Sequence, residues 1–137
     1  MVLTFLLDTS ALTRLNEPTV QHALHEPTFL RQVARCRASD LEIGLSARSV
    51  REWDALQAAL RAFEQVGVTD ADFVRAGQVQ RQLAAATKRG RSILDLIVAA
   101  AAERESLIVL HYDADFDHIA EQTGQSTQWI VERGSID

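Results

Sequence analysis

The chain of 137 residues has a single cysteine, Cys36, so no disulfide can close within it. A lone thiol fits a reducing, cytoplasmic setting and reads as a small core hydrophobe. There are only two prolines, Pro18 and Pro27, and no low-complexity stretch, repeat or linker breaks the pattern. No apolar run approaches the roughly 20 residues that span a bilayer, which excludes a membrane helix. The opening MVLTFLLD lacks a basic leader and meets an acid at Asp8, which argues against a signal peptide. Also missing are GxGxxG, the P-loop and Gly-x-Ser-x-Gly, so the common dinucleotide, nucleotide and serine-hydrolase signatures are not available. Lysine is nearly absent, with Lys88 the only one.

What is present is ordinary for a folded protein: 47% hydrophobic and 24% charged residues, enough for one domain, 1–137, around a single core. The formal charge of −5 speaks against a nucleic-acid binder if taken whole, but net charge says little about local patches. The cations gather as Arg31, Arg35 and Arg37, as Arg48 and Arg51, and as Lys88, Arg89 and Arg91. Arginine suits bidentate phosphate contacts. A GC-rich coding sequence gives the same arginine bias, so composition alone does not name a partner.

Hydrophobic periodicity orders the chain. Val2 to Leu7 reads as a buried strand, Thr9 to Leu15 as a short helix, and Pro18 opens a helix over Thr19 to Glu26. Gln32 to Cys36 is a second strand. Ser39 should cap a helix through Ala47, with Glu42 completing a Ser-x-x-Glu box. Val50, Trp53, Leu56, Leu60 and Phe63 form a stripe on a helix from Ser49 to Glu64. Gln65 to Val68 is a minimal strand. Thr69 caps a long helix with Lys88 and Arg89 in its last turn and Gly90 just beyond. A helix starts at Ser92, Leu107 to Leu110 is an apolar strand, Ala114 to Gln122 a helix ended by Gly124, and Thr127 to Val131 a last strand. Alternating strands and helices predict an α/β fold, a three-layer α/β/α sandwich around a central, mostly parallel sheet of about five strands.

The acids then fall at one edge. Asp8 follows the first strand, Glu42 lies just beyond the second, and Asp113 and Asp115 follow the Leu107 to Leu110 strand. Asp95 opens the helix that feeds that strand, so it too belongs at the carboxyl edge, where open parallel sheets bind ligands. Asp95 is surrounded by apolar neighbours in RSILDLIVAAAA, and a carboxylate there needs a charge or hydrogen bonds to meet it. It could be a local cap through Ser92-x-x-Asp95, or it could face a cation. Crowded carboxylates take up protons or hold cations, and oxygen-only donors favour a hard ion such as magnesium or manganese.

Each acid also has a plainer reading: Asp8 as a helix N-cap, Glu42 as a capping-box partner, Asp113 and Asp115 as turn or cap residues. Their joint placement favours the metal. Asp113-Ala-Asp115-Phe-Asp117 mimics the start of an EF-hand loop, but His118 stands where glycine is needed and Gly124 where glutamate is needed. His22 and His25 lie one helical turn apart with nothing to complete a zinc site, and His111 reads as structural.

LLDTSAL, DLEIGLSAR, RSILDLIVAAAA and HYDADFDHIA, in this order across essentially the whole chain, resemble the PIN domain and, more narrowly, the VapC toxins of bacterial VapBC toxin–antitoxin pairs. The resemblance implies a magnesium- or manganese-dependent endoribonuclease whose acids are Asp8, Glu42, Asp95 and Asp113, with one or two ions per site. Asp8 and Asp95 would hold the principal ion, and Glu42 and Asp113 a second ion or its water. Asp115 competes with Asp113 for the fourth position. Thr9 and Ser10 would be supporting hydroxyls, and Arg89 and Arg91 would contact substrate phosphates. The resemblance further implies an RNA substrate, a homodimer and a VapB-type antitoxin partner. Two other readings compete: a PIN-like module that binds RNA or protein without cutting, and a phosphoacceptor receiver domain. The receiver would need an acid pair after the first strand and a lysine after the last, and this chain has neither.

Overall fold

The computed structural model describes residues 2–88 and 92–137. Five strands, β1 (Phe5–Leu7), β2 (Val33–Cys36), β3 (Glu64–Val66), β4 (Ile108–His111) and β5 (Thr127–Trp129), form one sheet. The strand order is β3-β2-β1-β4-β5 and every pairing is parallel. Helices α1 (Thr9–Leu12), α2 (Pro18–Phe29), α3 (Arg37–Gly44) and α4 (Val50–Leu60) precede α5 (Asp70–Ala85), α6 (Ile93–Arg104) and α7 (Asp115–Thr123).

Side chains alternate across the central strands, so each strand feeds both faces. Leu6, Ala34 and Val109 pack under α5, α6 and α7, whereas Leu7, Val33 and Leu110 pack under α1 to α4. Two apolar layers with a sheet between them make the three-layer α/β/α sandwich. Helix α6 is buried from Asp95 through Ala102. Its alanines let it lie close against the sheet and α5, where larger residues would overfill the layer. An ion pair fastens the same two helices: Arg104 at the end of α6 donates to Asp72 at the start of α5, at 2.9 Å.

Helices α1, α3 and α4 stop at Leu12, Gly44 and Leu60, short of the expected Leu15, Ala47 and Glu64, and three further helix ends differ for a local reason. Helix α2 runs through Pro27 to Phe29, because the Leu30 N–H still reaches Glu26 O at 3.0 Å and the turn survives the missing donor. Helix α5 stops at Ala85, with Thr87 left-handed at φ 58° and the Lys88 N–H closing on Leu83 O at 2.7 Å. Lys88 therefore follows the helix instead of occupying its last turn. Helix α3 begins at Arg37, two residues before the expected cap, with Cys36 as N-cap. Ser39 is inside the helix, fully buried, and its hydroxyl has no partner. The Ser39–Glu42 capping box does not form, which leaves the Glu42 carboxylate unused by its own helix.

The chain winds from β1 outward through β2 to β3, then returns to the other side of β1 for β4 and β5. The reversal falls between β1 and β4, and a crevice opens beyond their carboxyl ends.

Candidate active site

Asp8 ends β1 and caps α1. Its Oδ2 accepts the Ser10 N–H at 2.9 Å, whereas Oδ1 is buried with no hydrogen-bond partner among the described residues. The residue is 2% exposed, and burial, with a smaller contribution from Asp113, pushes its carboxyl above the ordinary range despite the hydrogen bonds from Ser10 and Thr9. The Thr9 hydroxyl beside it is also buried and unpartnered.

On the other side of the reversal, Tyr112 and Asp113 follow β4. Asp113 Oδ1 accepts the Asp115 N–H at 2.9 Å, an Asx turn that starts α7. The Asp113 N–H donates to His111 Nδ1 at 3.2 Å. His111 is sandwiched between Phe116 and Trp129, and burial pushes its pKa down to about 4, so it sits there as a neutral acceptor. The two acid-bearing turns are joined directly by the Tyr112 N–H, which donates to Ser10 Oγ at 2.8 Å.

Asp95 enters from the first turn of α6 and is 9% exposed. Ser92 caps the helix by accepting the Leu94 N–H at 3.2 Å, and no hydrogen bond from a described residue reaches the Asp95 carboxylate. The local-cap answer to the buried acid therefore fails. Burial first, then Asp8, Asp113, Asp115 and Glu42 in that order, push its carboxyl up to about 8. The four other acids that the sequence places at the carboxyl edge, Asp8, Glu42, Asp113 and Asp115, thus all act on Asp95. One oxygen from each of Asp95, Asp113 and Asp115 lies within 4.8 Å of the others. Asp8, buried, and Glu42, exposed, lie outside this trio of oxygens but near enough for their charge to act on Asp95. Both candidates for the fourth acid, Asp113 and Asp115, are in the trio.

These residues suit a divalent cation. Three converging carboxylates, a fourth with a buried unpaired oxygen, and a proton affinity far above normal describe a site short of positive charge. Oxygen donors alone select a hard ion. Ser10 supports the site by joining its two turns. Arg89 and Arg91, expected at the substrate, lie outside the described residues. Arg35 turns inward, paired with Asp40 at 2.8 Å and bonded to Phe63 O, so it is not available to a ligand. The sequence pattern missed Tyr112, Arg14 and the tail around Asp137, whose Tyr112–Ser10, Tyr112–Ile136 and Arg14–Asp137 contacts join residues distant along the chain.

Strand order, crevice and acids together define a class. The PIN-domain family model matches residues 5–122, and the chain belongs to that family. Within it, the chain is 50% identical to Ribonuclease VapC51 of Mycobacterium tuberculosis over 137 residues, covering all of both chains. It is 40% identical to Ribonuclease VapC18 of the same organism, across 96% of this chain and 98% of that one. Among solved structures, DNA-bound VapBC from Salmonella typhimurium aligns with a TM-score of 0.78 at 15% identity, over 94% of this chain and 99% of that one. VapBC-5 from Mycobacterium tuberculosis aligns with a TM-score of 0.64 at 25% identity, over 94% and 98%.

Proposed function

We propose that this protein is a divalent-metal-dependent endoribonuclease, the toxin of a type II toxin–antitoxin pair. The observation that carries the chemistry is the Asp95 carboxyl, pushed up to about 8 by burial first and then by four other acids around it. The full-length likeness to ribonucleases supports RNA as substrate. The VapBC complexes among the structural neighbours support a VapB-type antitoxin.

In this reading Asp8 and Asp95 would hold the principal magnesium or manganese ion, and Asp113, with Asp115 beside it, and Glu42 would serve a second ion or its water. When bound, the ion acidifies water and offsets charge on the phosphodiester. Ser10 fixes the Asp8 carboxylate through its N–H and the Asp113 turn through its hydroxyl, so the two acids keep their spacing as charge changes between them. His111, neutral and buried, holds the Asp113 backbone without adding a competing cation. Water rather than the ribose 2′-hydroxyl attacks, leaving a 5′-phosphate and a 3′-hydroxyl.

The test is cleavage of a structured RNA by purified protein. Activity should require magnesium or manganese, vanish in EDTA, and leave 5′-phosphate ends. Cleavage that persists in EDTA with 2′,3′-cyclic phosphate ends would overturn the metal mechanism. Tight RNA binding with no cleavage under any divalent ion would favour the non-catalytic module.

A further inference from the structure

The last residues of the chain are fastened to the two turns that carry Asp8 and Asp113. The Tyr112 hydroxyl donates to Ile136 O at 2.7 Å and accepts the N–H groups of Gly134 at 2.9 Å and Ile136 at 3.3 Å. Gly134 is left-handed at φ 81°, a conformation that lets the tail turn back onto this hydroxyl. Arg14 lies 4.7 Å over the Tyr112 ring. It grips the Asp137 carboxylate with Nε at 3.1 Å and Nη2 at 2.8 Å, and donates from Nη1 to Ser10 O at 2.7 Å. Tyr112 and Ser10 are themselves joined through the Tyr112 N–H and Ser10 Oγ.

We propose that Tyr112, Arg14 and the tail from Gly134 to Asp137 form a clasp that positions the Asp8 and Asp113 turns at the spacing the cation needs. The closed loop of contacts carries the argument: tail to Tyr112, Tyr112 to Ser10, Ser10 to Arg14, Arg14 back to the tail. These groups act on the acids through the backbone of the two turns, so they are positioning residues. The two turns carry like charges, and repulsion between Asp8 and Asp113 tends to part them until a cation binds. A bond between the turns that does not titrate resists this. The Arg14–Asp137 pair is half exposed and weak alone. The Tyr112 hydroxyl, with three bonds at one atom, is the stronger hold.

The inference rests on the metal reading for one of its two readouts and stands apart from it in the other. Tyr112→Phe keeps the ring and removes the hydroxyl; Asp137→Asn removes the charge pair. Amide exchange of metal-free protein, followed by NMR, should show the Tyr112 N–H exchanging about tenfold faster in Tyr112→Phe, while amides within β1 and β4 keep wild-type protection. Manganese binding, measured by calorimetry, should weaken about three- to tenfold, because only part of the loss of three hydrogen bonds at the hydroxyl reaches the ion site. Asp137→Asn should move both readouts the same way by less. Unchanged Tyr112 exchange in Tyr112→Phe, or a uniform rise across β1 and β4, would overturn the clasp. If wild type binds no manganese, the metal reading falls, and the exchange experiment still decides the clasp.

Discussion

At the scale of the residue, Asp95 carries the sharpest consequences. Its folded carboxyl keeps a proton to about pH 8, whereas the ordinary value is 3.8. Between those values the folded state holds a proton that the unfolded state has released, so this contribution is complete below the lower value and is lost as pH rises through the upper one. Metal-free protein should therefore melt at lower temperature at about pH 8 than at about pH 5, and excess manganese should reverse that slope by displacing the proton. A melting temperature that is flat or rising over this range without metal would refute the protonated resting site. Asp95→Asn tests the same group from another side. Apo stability should hold or rise because the amide is neutral in this buried place without having to bind a proton, the manganese-induced melting shift should shrink, and RNA cleavage should fall by orders of magnitude. A variant that cuts like wild type and keeps its metal shift would remove Asp95 from the centre. The sequence made this residue legible because a carboxylate amid Ile93, Leu94, Leu96 and Ile97 has no cheap local explanation. Tyr112 was not legible, since an aromatic after a strand looks the same whether or not its hydroxyl binds a tail 24 residues later.

At the scale of the element, period and composition foretold every strand and helix in its place, and the discrepancies lie at the ends. Expected caps were read from Ser, Thr and Gly positions, which propose a boundary but do not compete with packing. At α3 the sheet layer took Ser39 inside and left its hydroxyl unpaired, where a local rule would have put it at the cap. At α5, by contrast, Thr69 and Asp72 form the capping box in full, and the expected start holds. Helix α6 was legible as buried because its alanines leave no polar face. Ala101 is wholly enclosed between sheet and helices, so Ala101→Leu should lower stability by about 1–3 kcal/mol through overpacking. Urea unfolding monitored by circular dichroism measures this, and an unshifted midpoint would mean that the layer has room to spare.

At the scale of the whole molecule, the stripe on α4 divides in two. Leu60 at the end of α4 and Phe63, which falls beyond the helix, join the core, while Val50 is 78% exposed and Trp53 47% exposed. Leu41 and Leu45 on the neighbouring α3 side are exposed as well, so the uncovered row extends beyond one helix. An apolar row of this extent supports the proposed homodimer and antitoxin contact. Light scattering at micromolar concentration should give about twice the 15.2 kDa of one chain, and a monomer that binds no antitoxin peptide would refute the assembly. That the acids would share one crevice was readable because parallel sheets present all carboxyl strand ends at one edge. Which strands flank the crevice was not, because strand order is set by tertiary pairing.

That order has a consequence for how the protein is made. The first strand waits for its second neighbour, β4, until the chain has been synthesised past His111, and only then can Asp8 meet Asp113. A nascent chain that has emerged only through β3 and α5 lacks Asp95, Asp113 and Asp115 altogether. Translation therefore delivers an inert polypeptide until nearly the end, and the capacity to damage RNA is born in one late docking step. Any safeguard in the cell can act on a finished molecule and need not chase the ribosome.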